Sequence, residues 1–118
     1  MKRLFKSFGY AFCGIFKAYK TEQNLIIHTI AMILVLGLSW YFKISNIEFL
    51  FIVLSIGLVI SLELINTSIE NVVDMAMPNI HPLAKNAKDI ASGAVLFGCF
   101  VAIIVGITIF LPKIINLF

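Results

Sequence analysis

The sequence predicts an all-α integral membrane protein: an amphipathic N-terminal surface helix followed by three transmembrane helices. Of its 118 residues, 61% are hydrophobic, and the mean hydropathy of +1.06 lies far above that of a soluble domain. Helical segments at 25–42, 47–77 and 90–111 are long enough to cross a bilayer, which takes roughly 17–25 residues. The length of the chain is that of one small domain, residues 1–118.

Residues 2–20 predict a helix that lies in the membrane interface. Apolar side chains recur at helical spacing on one face, and lysines and an arginine occupy the other. This pattern directs the cations toward anionic headgroups and the apolar face toward membrane lipids. A soluble amphipathic helix is the alternative, but the chain has no soluble core that would receive so many phenylalanines. The apolar face consists of Leu4, Phe5, Phe8, Phe12, Ile15, Phe16 and Tyr19.

The first two spans have clear ends. Trp40 and Tyr41 close the first one as an aromatic belt at the membrane surface. A short polar turn then leads into the second, which Pro78 ends, because a proline disfavours helical backbone at the residue before it.

A polar loop at 79–88 is predicted to lead into the third span, which Pro112 is predicted to stop. Small residues recur at every fourth position of this span, which allows close approach of another helix. They are Ala94, Gly98, Ala102 and Gly106.

The distribution of basic residues predicts the orientation. Most lie in the N-terminal segment and the 79–88 loop, whereas the opposite side carries only Lys43 and Lys113. By the positive-inside rule, the N-terminus and this loop are cytoplasmic. Nucleic-acid binding is excluded as a function class, since no soluble module presents a basic face. The two cysteines, Cys13 and Cys99, have no metal-ligand spacing and imply no disulfide framework.

The second span carries a polar face in its cytoplasmic half. At 100° per residue, five polar side chains fall on one side of the helix, and the opposite side is apolar. Ionisable groups near membrane depth are costly and indicate a functional site. The face is therefore expected to point into the interior of a bundle. It consists of Glu63, Asn66, Thr67, Glu70 and Asp74.

Further polar residues are predicted to converge on this face from the ends of the neighbouring spans. Glu22 and Asn24 precede the first span, and Lys88, Asp89 and Ser92 stand where the third begins. Mg²⁺ prefers carboxylate oxygens together with substrate phosphate oxygens, and a lysine supplies a positive charge for a phosphate. No glycine-rich phosphate loop is present, so side chains and metal would have to hold any nucleotide.

Simple interhelical ion pairs are the alternative, for example Lys88 with Asp74. They do not account for the whole set, because its carboxylates outnumber the available cations. Glu63 is the deepest carboxylate, which suits a general base. For His28, a bond to a neighbouring helix is slightly favoured over a ligand role. For His81, a solvated loop residue and a contact to a nucleotide base are equally compatible with the sequence.

Two stretches of this sequence resemble the signature of the small prokaryotic diacylglycerol kinases, which include the undecaprenol kinases of Gram-positive bacteria. They run from Glu63 to Asp74 and from residue 87 to residue 95, and the resemblance extends over nearly the whole chain. It implies a homotrimer in the bacterial plasma membrane, with active sites between subunits that face the cytoplasm. It also implies transfer of phosphate from ATP, with Mg²⁺, to the hydroxyl of a membrane lipid alcohol.

The same resemblance implies roles for individual residues. Glu63 corresponds to the general base, and Asn66 to the amide between the base and a metal ligand. Glu22 and Glu70 correspond to the metal-binding carboxylates, and Ser92 to a residue near the lipid hydroxyl. The nucleotide contacts are expected from these two carboxylates together with Arg3, Tyr10, Asp74, Asn79, Ile80, His81, Lys88 and Asp89.

Two positions favour the undecaprenol kinase branch. The Gram-negative branch carries an arginine and a glutamate where this sequence has Ile26 and His28. Undecaprenol is therefore the favoured acceptor, with diacylglycerol as the alternative. Two other classes are a small oligomeric cation channel or carrier subunit and a non-catalytic assembly subunit. A cation path should be acidic along its whole length, and here the acidity stops at mid-membrane.

Overall fold

The computed structural model describes residues 1–118 and consists of four α-helices. They are α1 (Lys2–Thr21), α2 (Gln23–Phe42), α3 (Asn46–Ala76) and α4 (Pro82–Leu117). Helices α2, α3 and α4 are long and apolar enough to cross a membrane. The predicted fold class, an all-α membrane protein with an N-terminal surface helix and three spans, is confirmed.

Helix α1 exposes its apolar face. Its phenylalanines are 57–70% exposed, which is the behaviour expected of side chains that enter lipid rather than a protein core. The C-terminal end of α1 is fixed to α2 by a hydrogen bond of 2.6 Å between the hydroxyls of Tyr19 and Thr29. Glu22 separates the two helices in an extended conformation. The direction of α1 is therefore set at its junction with α2.

The turn between α2 and α3 is held by local hydrogen bonds. Lys43 ends α2 in the left-handed conformation with φ of 49°. Ser45 then caps α3, because its hydroxyl accepts from the Glu48 N–H at 3.2 Å while its own N–H donates to Glu48 Oε1 at 3.0 Å. This reciprocal pair is a capping box, and it starts α3 immediately after the turn.

Helices α3 and α4 form an antiparallel hairpin with an ion pair toward each end. Lys113 Nζ lies 2.8 Å from Glu48 Oε2 at one end, and Lys88 pairs with Asp74 at the other. Between them, a Cβ atom added to Gly98 would lie 2.7 Å from Leu62 Cδ1. The predicted ladder of small residues thus has its closest approach at Gly98, whereas a Cβ at Gly106 would meet nothing within 4 Å.

The structure corrects both predicted ends of the third span. The loop predicted at 79–88 is wrong beyond residue 81, because α4 begins at Pro82. His81 Nδ1 accepts a hydrogen bond of 3.1 Å from the Leu83 N–H, and a proline fits the first turn, where its missing N–H costs nothing.

The predicted stop at Pro112 is also wrong, since α4 continues through it to Leu117. A proline in a helix removes one backbone hydrogen bond, and membrane helices tolerate this loss. The span predicted at 90–111 is therefore the central part of a helix of 36 residues. The first two spans agree with α2 and α3 to within two residues at each end.

Candidate active site

Glu63 is the most deeply buried ionisable residue of the chain. It lies on α3 and is 1% exposed. Its neighbours on the polar face, Asn66 and Thr67, are also buried. A buried carboxylate is expensive unless hydrogen bonds or charges compensate it, so its partners decide what it can do.

Two fully buried oxygens of this cluster have no hydrogen-bond partner. They are Glu63 Oε1 and Asn66 Oδ1. The amide of Asn66 donates to Glu70 Oε1 at 3.2 Å, and the hydroxyl of Thr67 donates to the backbone carbonyl of Glu63 at 3.0 Å. Because most buried polar atoms in proteins are hydrogen-bonded, two adjacent unpartnered acceptors indicate a place for a donor or a cation from outside the chain.

His28 provides the only side chain within ion-pair distance of Glu63. Its Nε2 lies 3.6 Å from Glu63 Oε2, which is longer than a hydrogen bond. Glu22 and Glu70 are near enough for their charges to act on Glu63 as well. For His28, a bond to a neighbouring helix is the favoured interpretation; the structure brings its ring within ion-pair distance of α3 but not within hydrogen-bond distance. That its partner is the predicted base was missed, because sequence spacing does not give contacts between α2 and α3.

The carboxylates suit a metal that is shared with a substrate. No group of three or more His, Cys, Asp or Glu side chains is arranged to bind a metal ion by itself. Mg²⁺ does not need such a cage, since proteins commonly bind it through one or two carboxylates plus substrate phosphates. Glu22 and Glu70 are half-buried, and Asn66 fixes one oxygen of Glu70. This donor set fits Mg²⁺ held together with a phosphate.

Lys88 forms the ion pair with Asp74 that was the alternative interpretation of both residues. The same lysine lies near enough to Glu70 for their charges to interact. Asp89 lies apart from this group: it is exposed, and its Oδ2 lies 2.6 Å from Nζ of Lys85 one turn earlier on α4. The structure therefore brings Lys88, but not Asp89, to the cluster of carboxylates.

The remaining predicted site residues are not gathered around Glu63 within this chain. Their side chains are exposed, except that His81 is partly buried and caps α4. The exposed residues are Arg3, Tyr10, Asn79, Ile80 and Ser92.

An apolar cavity adjoins the cluster. It has a volume of about 460 Å³ and lies between α2, α3 and α4, and 11 of the 14 residues that line it are hydrophobic. The other three are His28, Ser55 and Gly106. Since His28 also contacts Glu63, the cavity extends from the polar cluster into the apolar part of the bundle.

Comparison with known proteins identifies the family. Residues 9–110 match the prokaryotic diacylglycerol kinases. This chain belongs to that family. The resemblance inferred from the two stretches of sequence is thereby confirmed.

Named relatives include kinases of both lipid types. The chain is 45% identical to the undecaprenol kinase of Bacillus subtilis (strain 168) over 113 residues, which cover 96% of this chain and 92% of that protein. It is 39% identical to a diacylglycerol kinase of Synechocystis sp. over 115 residues, covering 97% of this chain and 66% of the relative. It is 31% identical to the diacylglycerol kinase of Escherichia coli (strain K12) over 102 residues, covering 86% and 84%.

Proposed function

We propose that this protein is a lipid kinase that transfers the γ-phosphoryl group of ATP to the hydroxyl of undecaprenol, giving undecaprenyl phosphate. The observation that carries this proposal is a buried glutamate with an unpartnered oxygen, Glu63, on a membrane helix of a chain that belongs to a lipid kinase family. The choice of undecaprenol as acceptor rests on the similarity to an undecaprenol kinase over 96% of the chain. Diacylglycerol, which would give phosphatidate, is the alternative acceptor.

In the mechanism, Glu63 acts as general base. Its free oxygen Oε1 accepts the proton of the lipid hydroxyl, and the hydroxyl oxygen attacks the γ-phosphorus. The bond between this phosphorus and the bridging oxygen to the β-phosphate breaks, and ADP leaves. Phosphoryl transfer needs mainly positioning and charge stabilisation, so a few side chains suffice. Ser92 is assigned to the neighbourhood of the lipid hydroxyl.

Glu22 and Glu70 would hold Mg²⁺ together with the phosphates. The ion would neutralise charge on the triphosphate. Asn66 holds Glu70 through the bond of 3.2 Å, so it orients a metal ligand next to the base. The cofactor of this proposal is Mg²⁺, and ATP is the co-substrate.

Lys88 steadies the phosphates after its ammonium group leaves Asp74. This exchange is inexpensive, because both side chains are partly exposed and such pairs contribute little to stability. Asp74 and Asp89, with Asn79, Ile80 and His81 of the α3–α4 loop, are assigned to nucleotide binding. So are Arg3 and Tyr10 of α1.

The proposed assembly is a homotrimer in the bacterial plasma membrane, with the N-terminus and active site in the cytoplasm. The excess of lysine and arginine in α1 and at the start of α4 supports this orientation. The exposure of Arg3 and Tyr10 agrees with a site completed by the α1 helix of a neighbouring subunit. The mass of the protein in detergent, corrected for bound detergent, tests the trimer.

A cation channel is not favoured. The cavity that His28 lines is mostly apolar, whereas a cation path needs oxygen ligands or rings of charged side chains along its length. No acidic residue lines the cavity.

The deciding experiment is phosphate transfer from γ-labelled ATP and Mg²⁺ by the purified protein in mixed micelles. Undecaprenol and diacylglycerol are offered separately at equal mole fraction. The expected result is labelled undecaprenyl phosphate, with a lower kcat/KM for diacylglycerol. A preference for diacylglycerol would reverse the acceptor assignment, and absence of transfer to both by folded protein would refute the kinase proposal.

A further inference from the structure

His28 lies where the polar cluster meets the apolar cavity. It belongs to the first third of α2, and its side chain is 23% exposed. Nε2 lies 3.6 Å from Glu63 Oε2, and the same residue lines the cavity between the three spans. Its ring therefore contacts the carboxylate and the apolar wall at the same time.

Apart from His28, the charged groups near Glu63 do not stabilise its carboxylate. Glu22 and Glu70 both repel the Glu63 carboxylate, and no lysine or arginine lies within ion-pair distance of it. Lys88, the cation of the cluster, is paired with Asp74 instead. His28 is thus the only basic side chain within ion-pair distance of the buried carboxylate.

The two oxygens of Glu63 consequently differ. Oε2 faces the imidazole of His28, whereas Oε1 has no partner and is free to accept a proton. A carboxylate held at one oxygen presents the other in a defined direction. Hydrogen bonds of catalytic groups are often long without substrate and tighten when it binds, which accommodates the 3.6 Å separation.

We infer that His28 is a positioning residue: it holds Glu63 through Oε2 so that Oε1 is directed at the acceptor hydroxyl. The inference rests on the proposed kinase function and on Glu63 as its base. It assigns to His28 an effect on the rate of transfer and none on the binding of ATP, because its contacts are with Glu63 and the cavity.

The test compares substitutions at residue 28 in the full-length protein. His28→Leu keeps the bulk of the side chain and removes the donor, whereas His28→Gln keeps an N–H donor close to the position of Nε2. Ile27→Leu, at an exposed apolar side chain next to His28, is the matched control. For each variant, kcat and the KM values for ATP and undecaprenol are measured after size-exclusion chromatography has shown a wild-type profile.

His28→Leu is expected to lower kcat by roughly 10- to 100-fold, as misplacement of a reacting group by about 1 Å does, with KM for ATP unchanged. His28→Gln should recover most of this loss, and Ile27→Leu should match wild type. In a Glu63→Asp background, where the carboxylate is withdrawn from the imidazole, adding His28→Leu should lower kcat by less than about threefold.

Three results would overturn the inference. A wild-type kcat in His28→Leu excludes a role for the contact. Equal losses in His28→Gln and His28→Leu show that the imidazole serves packing, and so does a full additional loss in the Glu63→Asp background. If the wild-type protein transfers no phosphate to either lipid, the proposed function fails and this inference fails with it. If the wild-type protein is active and one of the three results above is found, only the inference fails.

Discussion

The two halves of α3 each contain a glutamate, but the two glutamates have different partners. Glu48 has both oxygens engaged: Oε1 accepts from the Ser45 N–H, and Oε2 lies 2.8 Å from Lys113 Nζ. Glu63 is more buried, yet Oε1 has no partner and Oε2 has only a distant imidazole. The more costly position therefore has the poorer compensation.

This difference indicates that the Glu48 carboxylate stabilises the fold, whereas the Glu63 carboxylate serves the site. At the Glu48 end, one carboxylate caps α3 and ties it to α4, and local partners satisfy it completely. In the half of α3 that contains Glu63, carboxylates outnumber cations and buried oxygens have no hydrogen-bond partner. A native protein retains such groups where a ligand completes them. The same comparison orders the expected effects of substitution.

The largest effect is expected for Glu63→Gln. The substitution preserves shape but removes the base, and general-base catalysis contributes typically about 10²- to 10⁴-fold. Transfer from labelled ATP to undecaprenol should fall by that factor, while the oligomer seen by size-exclusion chromatography stays that of wild type. A turnover within about threefold of wild type would show that Glu63 is not the base.

The next effect is expected for Asn66→Ala, which frees Glu70 from its hydrogen bond. Groups that orient a metal ligand typically contribute about 10- to 100-fold to metal affinity or activity. The Mg²⁺ concentration at half-maximal transfer should rise by such a factor. Thr67→Val is the matched control, since the Thr67 hydroxyl bonds only to the helix backbone. An unchanged Mg²⁺ midpoint in Asn66→Ala would contradict the metal-ligand role of Glu70.

A stability effect is expected for Gly98→Val, where α4 packs against Leu62 of α3. The added Cβ would lie 2.7 Å from Leu62 Cδ1, and Leu58 and Val59 are in ordinary van der Waals contact, so the end of the Leu62 side chain must move. Overpacking costs typically about 1–3 kcal/mol, and the lower end of this range is expected because only the end of a flexible side chain shifts. Gly93→Val, also on α4, is the control because a Cβ there meets nothing within 4 Å. Thermal unfolding in detergent should be lowered in the first variant relative to the second, and equal midpoints would refute the close approach.

The smallest effect on catalysis is expected for Glu48→Gln. It makes the same chemical change as Glu63→Gln at the end where the acid is fully paired. Because exposed ion pairs contribute little, the thermal midpoint should fall slightly and transfer should stay within about twofold of wild type. A large loss of transfer would mean that Glu48 also contributes to the site, and the contrast between the two halves of α3 would fail.

Much of this arrangement could be predicted from sequence. Apolar length located the three spans, because the thickness of a bilayer fixes how many residues a helix needs. The helical period placed Glu63, Asn66 and Thr67 on one face, and these side chains are buried in the bundle as that face requires. The rule that proline ends a helix is less reliable here: it predicts Pro82 and Pro112 outside the third span, and α4 contains both.

The contact between His28 and Glu63 joins α2 to α3, and sequence spacing does not predict it, since contacts between helices depend on how they pack and rotate against each other. The pair of Lys88 with Asp74 joins α4 to α3; it is one of the alternatives that the sequence leaves open, and the fold selects it. The membrane architecture and the acidic face of α3 thus follow from sequence, because both depend on local and periodic patterns. Packing between the helices decided which carboxylate is satisfied and which is left free to act.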